Sequence, residues 1–158
     1  MKAASINEIK QELGNLPAKE LLTLCLRMAK FKKENKELLT YLLFESNDQE
    51  EYIRSIKIEI ENGIKEVNRS NLYLVKKSLR KILRNTNKYI KYTSSTEIAA
   101  ELLIYFCNTV KSAGFKMNRS AALTNLYNGQ LKKINTLIEE LHEDLRFDFL
   151  KQVEGLQL

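Results

Sequence analysis

Residues 98–110, IAAELLIYFCNTV, are apolar around most of a helical circumference. The polar residues in and around this segment, Glu97, Glu101, Asn108 and Ser112, fall on one strip roughly 60° wide when it is read as an α-helix. A helix with so narrow a polar strip is normally surrounded by other helices, because only a buried helix uses apolar side chains on nearly all sides. The segment therefore predicts a central helix. Glu101, which looks like a buried acid in the linear sequence, is predicted to lie on the solvent side.

The composition favours an all-α fold in a single domain over residues 1–158. The 158 residues include one Pro and five Gly, which leaves little material for the turns of a sheet. A hydrophobic content of 44% and a charged content of 29% are typical of a folded globular protein. No segment alternates apolar and polar residues between turn signals as a strand does. We therefore expect about seven or eight amphipathic helices.

Helix starts and stops can be read along the chain. Starts are predicted from N-cap residues and capping boxes at Ser5, Ser46, Ser70, Ser94, and Asn118 or Ser120, and from a proline at the first helical position, Pro17. Stops are predicted at Gly14 and Gly114. The helices at 6–13, from 17 to about 32 and at 34–45 are followed by a fourth helix and then by a basic helix at 71–92. The fourth helix has one apolar stripe, formed by Ile53, Ile56, Ile60, Ile64 and Val67. An eighth helix, or a bent extension of the seventh, is expected after residue 141. The helix at 34–45 is predicted to be mostly buried.

The helices after the first can be paired as 17–45, 49–92 and 96–141. This gives a pitch of about 45 residues, which is within the range of HEAT and armadillo repeats. The pairs show no convincing similarity in sequence to one another. A compact helical bundle and a short HEAT-like stack of antiparallel helix pairs are therefore both open.

The N-terminal sequence also resembles a known family. Residues 5–44, SINEIKQELGNLPAKELLTLCLRMAKFKKENKELLTYLLF, resemble the start of a bacterial family described only as a domain of unknown function. KKSLRKIL at 76–83 and EIAAELLIYF at 97–106 are similar to later parts of that family in placement and character, so the resemblance covers most of the chain. The chain departs from the family where Phe44-Glu45-Ser46-Asn47 replaces an expected proline. The resemblance implies an all-helical fold, no assigned activity and no functional residues.

Motifs for catalysis or metal binding are missing from the sequence. Zinc sites use four Cys or His ligands, and the chain offers only Cys25, Cys107 and His142. Glu139-x-x-His142 is half of a di-iron motif and has no second copy. No phosphate-binding glycine loop and no nucleophile elbow is present. We expect no catalytic residue, no metal and no cofactor, and the protein is predicted not to be an enzyme. An enzyme with an unrecognised site remains an alternative.

The sequence also bears on location. The N-terminal residues MKAASINEIKQEL lack the apolar core of a signal peptide. The longest apolar run with a single charge, Ile98 to Cys107, is too short to span a bilayer. Both cysteines lie in apolar helical patterns, which is typical of reduced, buried thiols. We therefore expect a cytoplasmic protein with no membrane span. The oligomeric state cannot be read from the sequence.

The chain's excess positive charge lies in residues 69–92, RSNLYLVKKSLRKILRNTNKYIKY. This segment has eight Lys or Arg and no acid, whereas the rest of the chain has eighteen basic residues against twenty acidic ones. On a helical wheel the apolar side chains occupy one side and the cations another. Like charges four residues apart repel each other, so we expect something to neutralise this face. The candidate partner-binding residues are Tyr73, Lys76, Lys77, Arg80, Lys81, Arg84, Lys88 and Lys91.

Three main interpretations of this basic face are open. The first is that the charge serves solubility or meets an acidic neighbour, within the fold or in another subunit. Residues 45–68 could supply that neighbour, since they hold seven acids and three bases and include Glu59, Glu61 and Glu66. The second is an acidic protein partner, and the third is a nucleic acid, because a basic row with a tyrosine suits phosphate contact. An anionic membrane surface is a further option. The sequence favours the first, and it leaves the protein as a helical binding or scaffolding module of unknown partner.

Overall fold

A computed structural model describes residues 2–157, which contain eight α-helices and no strand. The all-α prediction is confirmed, and the eighth helix is a separate element. The helices are α1 (Ile6–Gly14), α2 (Ala18–Phe31), α3 (Lys33–Thr40), α4 (Gln49–Lys65), α5 (Leu72–Thr93), α6 (Thr96–Ser112), α7 (Ala121–Glu139) and α8 (Glu143–Glu154). A π-helical turn, Tyr41–Glu45, extends α3, and a 3-10 turn, Met117–Arg119, precedes α7.

The chain forms two compact units, which meet in sequence at Glu45 and Ser46. The first unit contains α1, α2, α3 and the π-helical turn. The second unit contains α4 to α8. The single domain over residues 1–158 stays a prediction.

The first unit is built on a hairpin of α2 and α3. α1 begins at the predicted capping box, in which the Glu8 amide donates to Ser5 Oγ at 3.3 Å. α2 and α3 fold back on each other, since residues at both far ends, Leu21 and Leu42, line the same groove. Tyr41 is the one buried residue among the described residues of this unit. The prediction of a mostly buried helix at 34–45 is therefore wrong, because a hairpin of two short helices supplies too little protein to cover its leucines.

The second unit is arranged around α6. α4, α5, α7 and α8 all contact this helix, and nine of its residues are buried. Its polar strip remains at the surface, with Glu97, Asn108 and Ser112 exposed and Glu101 half-buried. The prediction of a central helix at 98–110 is confirmed.

Contacts between helices in this unit repeat at a nearly constant sequence offset. Lys57 of α4 donates to Glu101 of α6, 44 residues later, at 2.6 Å. Lys133 of α7 donates to Asn87 of α5, 46 residues earlier, at 2.6 Å. Lys111 of α6 likewise bonds to carbonyls just beyond the end of α8. The offset agrees with the predicted pitch of about 45 residues. The unit is a helical bundle in which these hydrogen bonds join α4 to α6, α7 to α5, and α6 to the residues that follow α8.

Several predicted helix starts are displaced by one or two residues. The observed N-caps are Asp48, Asn71 and Ser95 where Ser46, Ser70 and Ser94 were predicted, whereas Ser120 caps α7 as predicted. At the start of α6 the reason is visible in the backbone. Ser94 has a φ of 51° and ends α5 in the left-handed conformation, so the next serine is the first that can cap α6.

The two adjacent serines are expected to respond differently to substitution. Ser95→Ala should cost about 1 kcal/mol, because Ser95 Oγ accepts the Ile98 amide at 3.2 Å. Ser94→Gly should stabilise the protein by up to about 1 kcal/mol, since glycine takes the left-handed conformation without steric cost. Denaturant unfolding of each variant measures both effects. A larger loss from Ser94→Ala than from Ser95→Ala would contradict this assignment of the cap.

Candidate functional site

α5 carries all eight candidate residues and is anchored by its opposite side. Val75, Leu79 and Ile90 are buried there. Thr86 is also buried, and its hydroxyl donates to the Ile82 carbonyl at 3.1 Å. This packing fixes the rotation of the helix and directs its basic side outward. The cations then form a row roughly 20 Å long.

The basic row is largely open to solvent. Tyr73 has 61% of its surface exposed. Two members are half-buried against aromatic rings, with the Lys76 ammonium 5.5 Å from the centroid of Tyr73 and the Lys88 ammonium 4.8 Å from that of Tyr89. The other members are exposed: Lys77, Arg80, Lys81, Arg84 and Lys91.

The acids of α4 bond to groups outside the row, although α4 and α5 do pack antiparallel. Glu59 accepts from the Tyr89 hydroxyl at 3.3 Å. Glu61 accepts from the Tyr105 hydroxyl of α6 and pairs with Lys65 at 3.5 Å. Within residues 2–157, no carboxylate forms an ion pair with Lys76, Lys77, Arg80, Lys81, Arg84 or Lys91. These six cations are therefore not ion-paired within the described residues, and the acidic neighbour that the sequence favoured stays a prediction.

A groove of about 370 Å³ separates the acids of α4 from the basic row. Glu59 and Glu66 line it from α4, and Lys81 lines it from α5. Isoleucines from both helices also line the groove. Opposite charges thus share the groove without meeting in an ion pair.

α7 adds a cation that the sequence reasoning missed. Lys133 reaches α5 through its hydrogen bond to Asn87. Partial burial lowers the pKa of Lys133, and the nearby positive charge of Lys91 lowers it further. Both interactions place Lys133 beside the C-terminal half of the row. The sequence signal that would have found it is a second acid-free run, residues 102–138, which holds five Lys or Arg.

α5 and α7 concentrate positive charge. Together they hold nine of the 26 Lys and Arg and one acid, which leaves seventeen bases against nineteen acids elsewhere. α5 has no acidic residue, and α7 has one, Glu139 at its end. We call Lys133 and the eight candidate residues of α5 the cationic surface.

A separate polar cluster links α4 to α6. Lys57 pairs with Glu101 and lies 5.1 Å from the centroid of the Tyr105 ring. The hydrogen bond between Tyr105 and Glu61 raises the pKa of Tyr105 and lowers that of Glu61. These groups are partnered with one another, so the cluster ties the two helices together.

The buried Cys107 and the exposed His142 are not paired as nucleophile and base. Burial raises the pKa of Cys107 to about 12, which keeps the thiol protonated and unreactive. His142 is exposed just before α8, with Nδ1 3.4 Å from an Asp144 carboxylate oxygen. In residues 2–157 no group of three or more acidic, Cys or His side chains is placed to hold a metal, and no helix has the length and apolar character to cross a membrane. The cationic surface is the strongest candidate for a functional site.

Comparisons of the chain with protein-family models, curated proteins and solved structures found no match. The resemblance of residues 5–44 to a bacterial helical family therefore stays a prediction. The case for a function rests on the cationic surface.

Proposed function

We propose that the protein is a non-enzymatic helical binding module whose cationic surface binds the phosphate backbone of a nucleic acid. The observation that carries the proposal concerns five cations of one helix that are exposed and have no ion-pair partner among the described residues: Lys77, Arg80, Lys81, Arg84 and Lys91. Such a row costs free energy by mutual repulsion when it faces water alone. Phosphates would remove that cost, and the release of their counterions favours binding.

The make-up of the surface favours a nucleic acid over an acidic protein. Cores of protein interfaces are depleted in Lys and depend on buried aromatic and apolar anchors. Tyr73 is the one exposed large apolar side chain on the described part of α5 and α7. The others in the second unit lie on α4 and α8: Ile58, Phe147 and Leu150. Phosphate contact needs cations and hydrogen-bond donors and requires no apolar anchor.

Tyr73 gives the surface a place where a base can stack. Its exposed ring lies at the N-terminal end of the basic row, next to Lys76. Stacking of a base on an aromatic side chain is worth about 1–3 kcal/mol and requires an unpaired base. We therefore expect Tyr73→Ala to weaken binding of single strands and to leave duplex binding nearly unchanged.

The central test is a triple variant, Lys77→Gln, Arg80→Gln and Arg84→Gln. These side chains are exposed and have no ion-pair partner in residues 2–157, so the fold should be unaffected. We expect affinity for a labelled single-stranded oligonucleotide to fall by about tenfold or more. The slope of log affinity against log salt should become shallower by roughly 2, since each lost phosphate contact removes about 0.7 for a single strand. Fluorescence anisotropy over a salt series measures both.

A matched control separates this surface from net charge. Lys10→Gln, Lys19→Gln and Lys151→Gln together remove the same charge from exposed positions on α1, α2 and α8. This control should keep most of the parent's affinity. An equal loss in the control, or no binding of RNA or DNA by the parent at low salt, would overturn the proposal. Binding of an acidic protein or of anionic vesicles through the same residues, without nucleic-acid binding, would overturn it in favour of that partner.

A further inference from the structure

The first unit exposes far more large apolar side chains than the second. Four of the described residues after Glu45 are of this kind, against eleven before it. The eleven are Ile6, Ile9, Leu13, Leu22, Leu24, Leu26, Met28, Phe31, Leu42, Leu43 and Phe44. Exposed apolar side chains in this number typically mark an interaction site where they adjoin, and Leu13, Leu24, Met28 and Leu42 line one groove.

A unit of this size needs stabilisation from outside its own core. Chains below about 40 residues usually require disulfides, metals or oligomerisation to fold, because they bury too little surface. The first unit is barely longer and has one buried side chain, Tyr41, in its described part. Cys25 is a free thiol, and no metal-holding cluster occurs in residues 2–157. Association with another surface is the remaining means of stabilisation.

α2 has a wide apolar side that needs a packing partner. It is apolar over roughly 220° of its circumference, which is typical of a helix packed on several sides. One flank of this arc, which includes Leu21, Leu24 and Met28, lines a groove of about 310 Å³ between α2 and α3. The other flank carries Leu22 and Leu26, which form an exposed ridge.

The groove is suited to apolar side chains. No charged residue lines it. Its polar residue, Asn35, uses its side-chain amide to donate to the Met28 carbonyl at 2.9 Å. An inserted leucine would therefore displace water from apolar walls and leave that hydrogen bond intact.

We infer that this surface binds a second copy of the chain, with the ridge of each copy seated in the groove of the other. Ridge and groove lie on opposite flanks of the same helix. When a two-fold axis runs parallel to α2, the ridge of each copy faces the groove of the other. The same rotation therefore fills both grooves. This is the self-complementarity that an isologous interface requires.

The exposed apolar area of the first unit and its charge both suit binding of a second copy of the chain. The eleven exposed side chains offer on the order of 1,000 Å² of apolar surface, against the about 800 Å² per partner that a standard interface buries. Residues 1–45 contain eight bases and six acids, so no strong field of one sign opposes a second copy. Because its charges nearly cancel, the first unit also has little attraction for a polyanion such as a nucleic acid. The inference is independent of nucleic-acid binding, since it uses no residue of the cationic surface.

The test compares the parent with the double variant Leu22→Glu and Leu26→Glu. Sedimentation across a concentration series should give the parent a mass of twice 18.4 kDa, and the variant 18.4 kDa throughout. The control, Thr23→Glu with Arg27→Gln, makes the same charge change on the polar side of α2 and should remain dimeric. Circular dichroism checks that helix content is unchanged, which is expected because both leucines are exposed.

Cys25 provides a second measurement. Cys25 lines the groove and falls near the midpoint of the apolar arc of α2. The parallel arrangement therefore places the two Cys25 side chains near the two-fold axis. A short bismaleimide should link the parent into a covalent dimer, and Cys25→Ser should abolish the link because Cys107 is buried. A parent that is monomeric at every concentration would overturn the inference. A dimer that survives the double Leu→Glu variant would also overturn it.

Discussion

Replacing Phe106 with alanine is expected to reduce the free energy of unfolding by about 3–5 kcal/mol. Phe106 lies on α6 and has 0% of its surface exposed. Its removal would leave a cavity that four packed helices can close only in part, because packed helices move as rigid bodies. A loss of this size is a large fraction of the about 5–15 kcal/mol that stabilises a typical domain. Urea unfolding followed by circular dichroism measures it.

Phe147 supplies a matched control on the same unit. It lies on α8 with 72% of its surface exposed. The free energy of unfolding of Phe147→Ala should therefore lie within about 0.5 kcal/mol of the parent's, as is usual for surface substitutions. Similar losses for the two phenylalanines would mean that α6 is not the centre of the unit.

Gly63→Val is expected to reduce the free energy of unfolding by about 2 kcal/mol, because the added side chain overpacks the contact between α4 and α5. A Cβ atom added at Gly63 would lie 3.0 Å from Ile82 Cγ1 and 3.2 Å from its Cδ1. Valine adds two more methyl groups next to the Ile82 side chain. The helices would have to separate, and the rotation of α5 that exposes the cationic surface would change with them.

A double-mutant cycle with Ile82→Ala isolates this contact. Ile82→Ala removes the side-chain atoms of Ile82 that an added Cβ would meet. The free energy of unfolding of the double variant should therefore exceed, by about 1 kcal/mol or more, the value obtained by adding the two single effects. Gly129→Val on α7 is the control, because a Cβ there meets nothing within 4 Å. Thermal unfolding of all four variants decides the outcome. Additive effects of Gly63→Val and Ile82→Ala would show that the two residues do not limit the approach of the helices.

The helices could be predicted because their signals are local. The isoleucine stripe of α4 and the apolar side of α5 are set by a spacing of three or four residues, and most of these residues are buried. The prediction of N-caps was less accurate where two residues with N-cap chemistry are adjacent. Ser94 and Ser95 have the same chemistry, and the choice between them depends on where α5 ends.

The candidate site could be predicted only on one helix. The cations of α5 follow from charge and periodicity within one segment. Lys133 lies 46 residues from its partner Asn87, and no local pattern joins them. Whether α4 covers the row also depends on distant contacts, since Glu61 bonds to Tyr105, 44 residues away.

The sequence by itself determined that the chain is helical, that α6 is central and that α5 separates apolar from cationic residues. These properties depend on side-chain spacing within single helices. Only the tertiary structure decided that Lys133 of α7 lies beside the cations of α5 and that α2 and α3 leave most of their leucines exposed or half-buried. A helix's sequence specifies which of its faces is apolar or charged, whereas the neighbours that cover each face are set by packing between residues far apart in the chain.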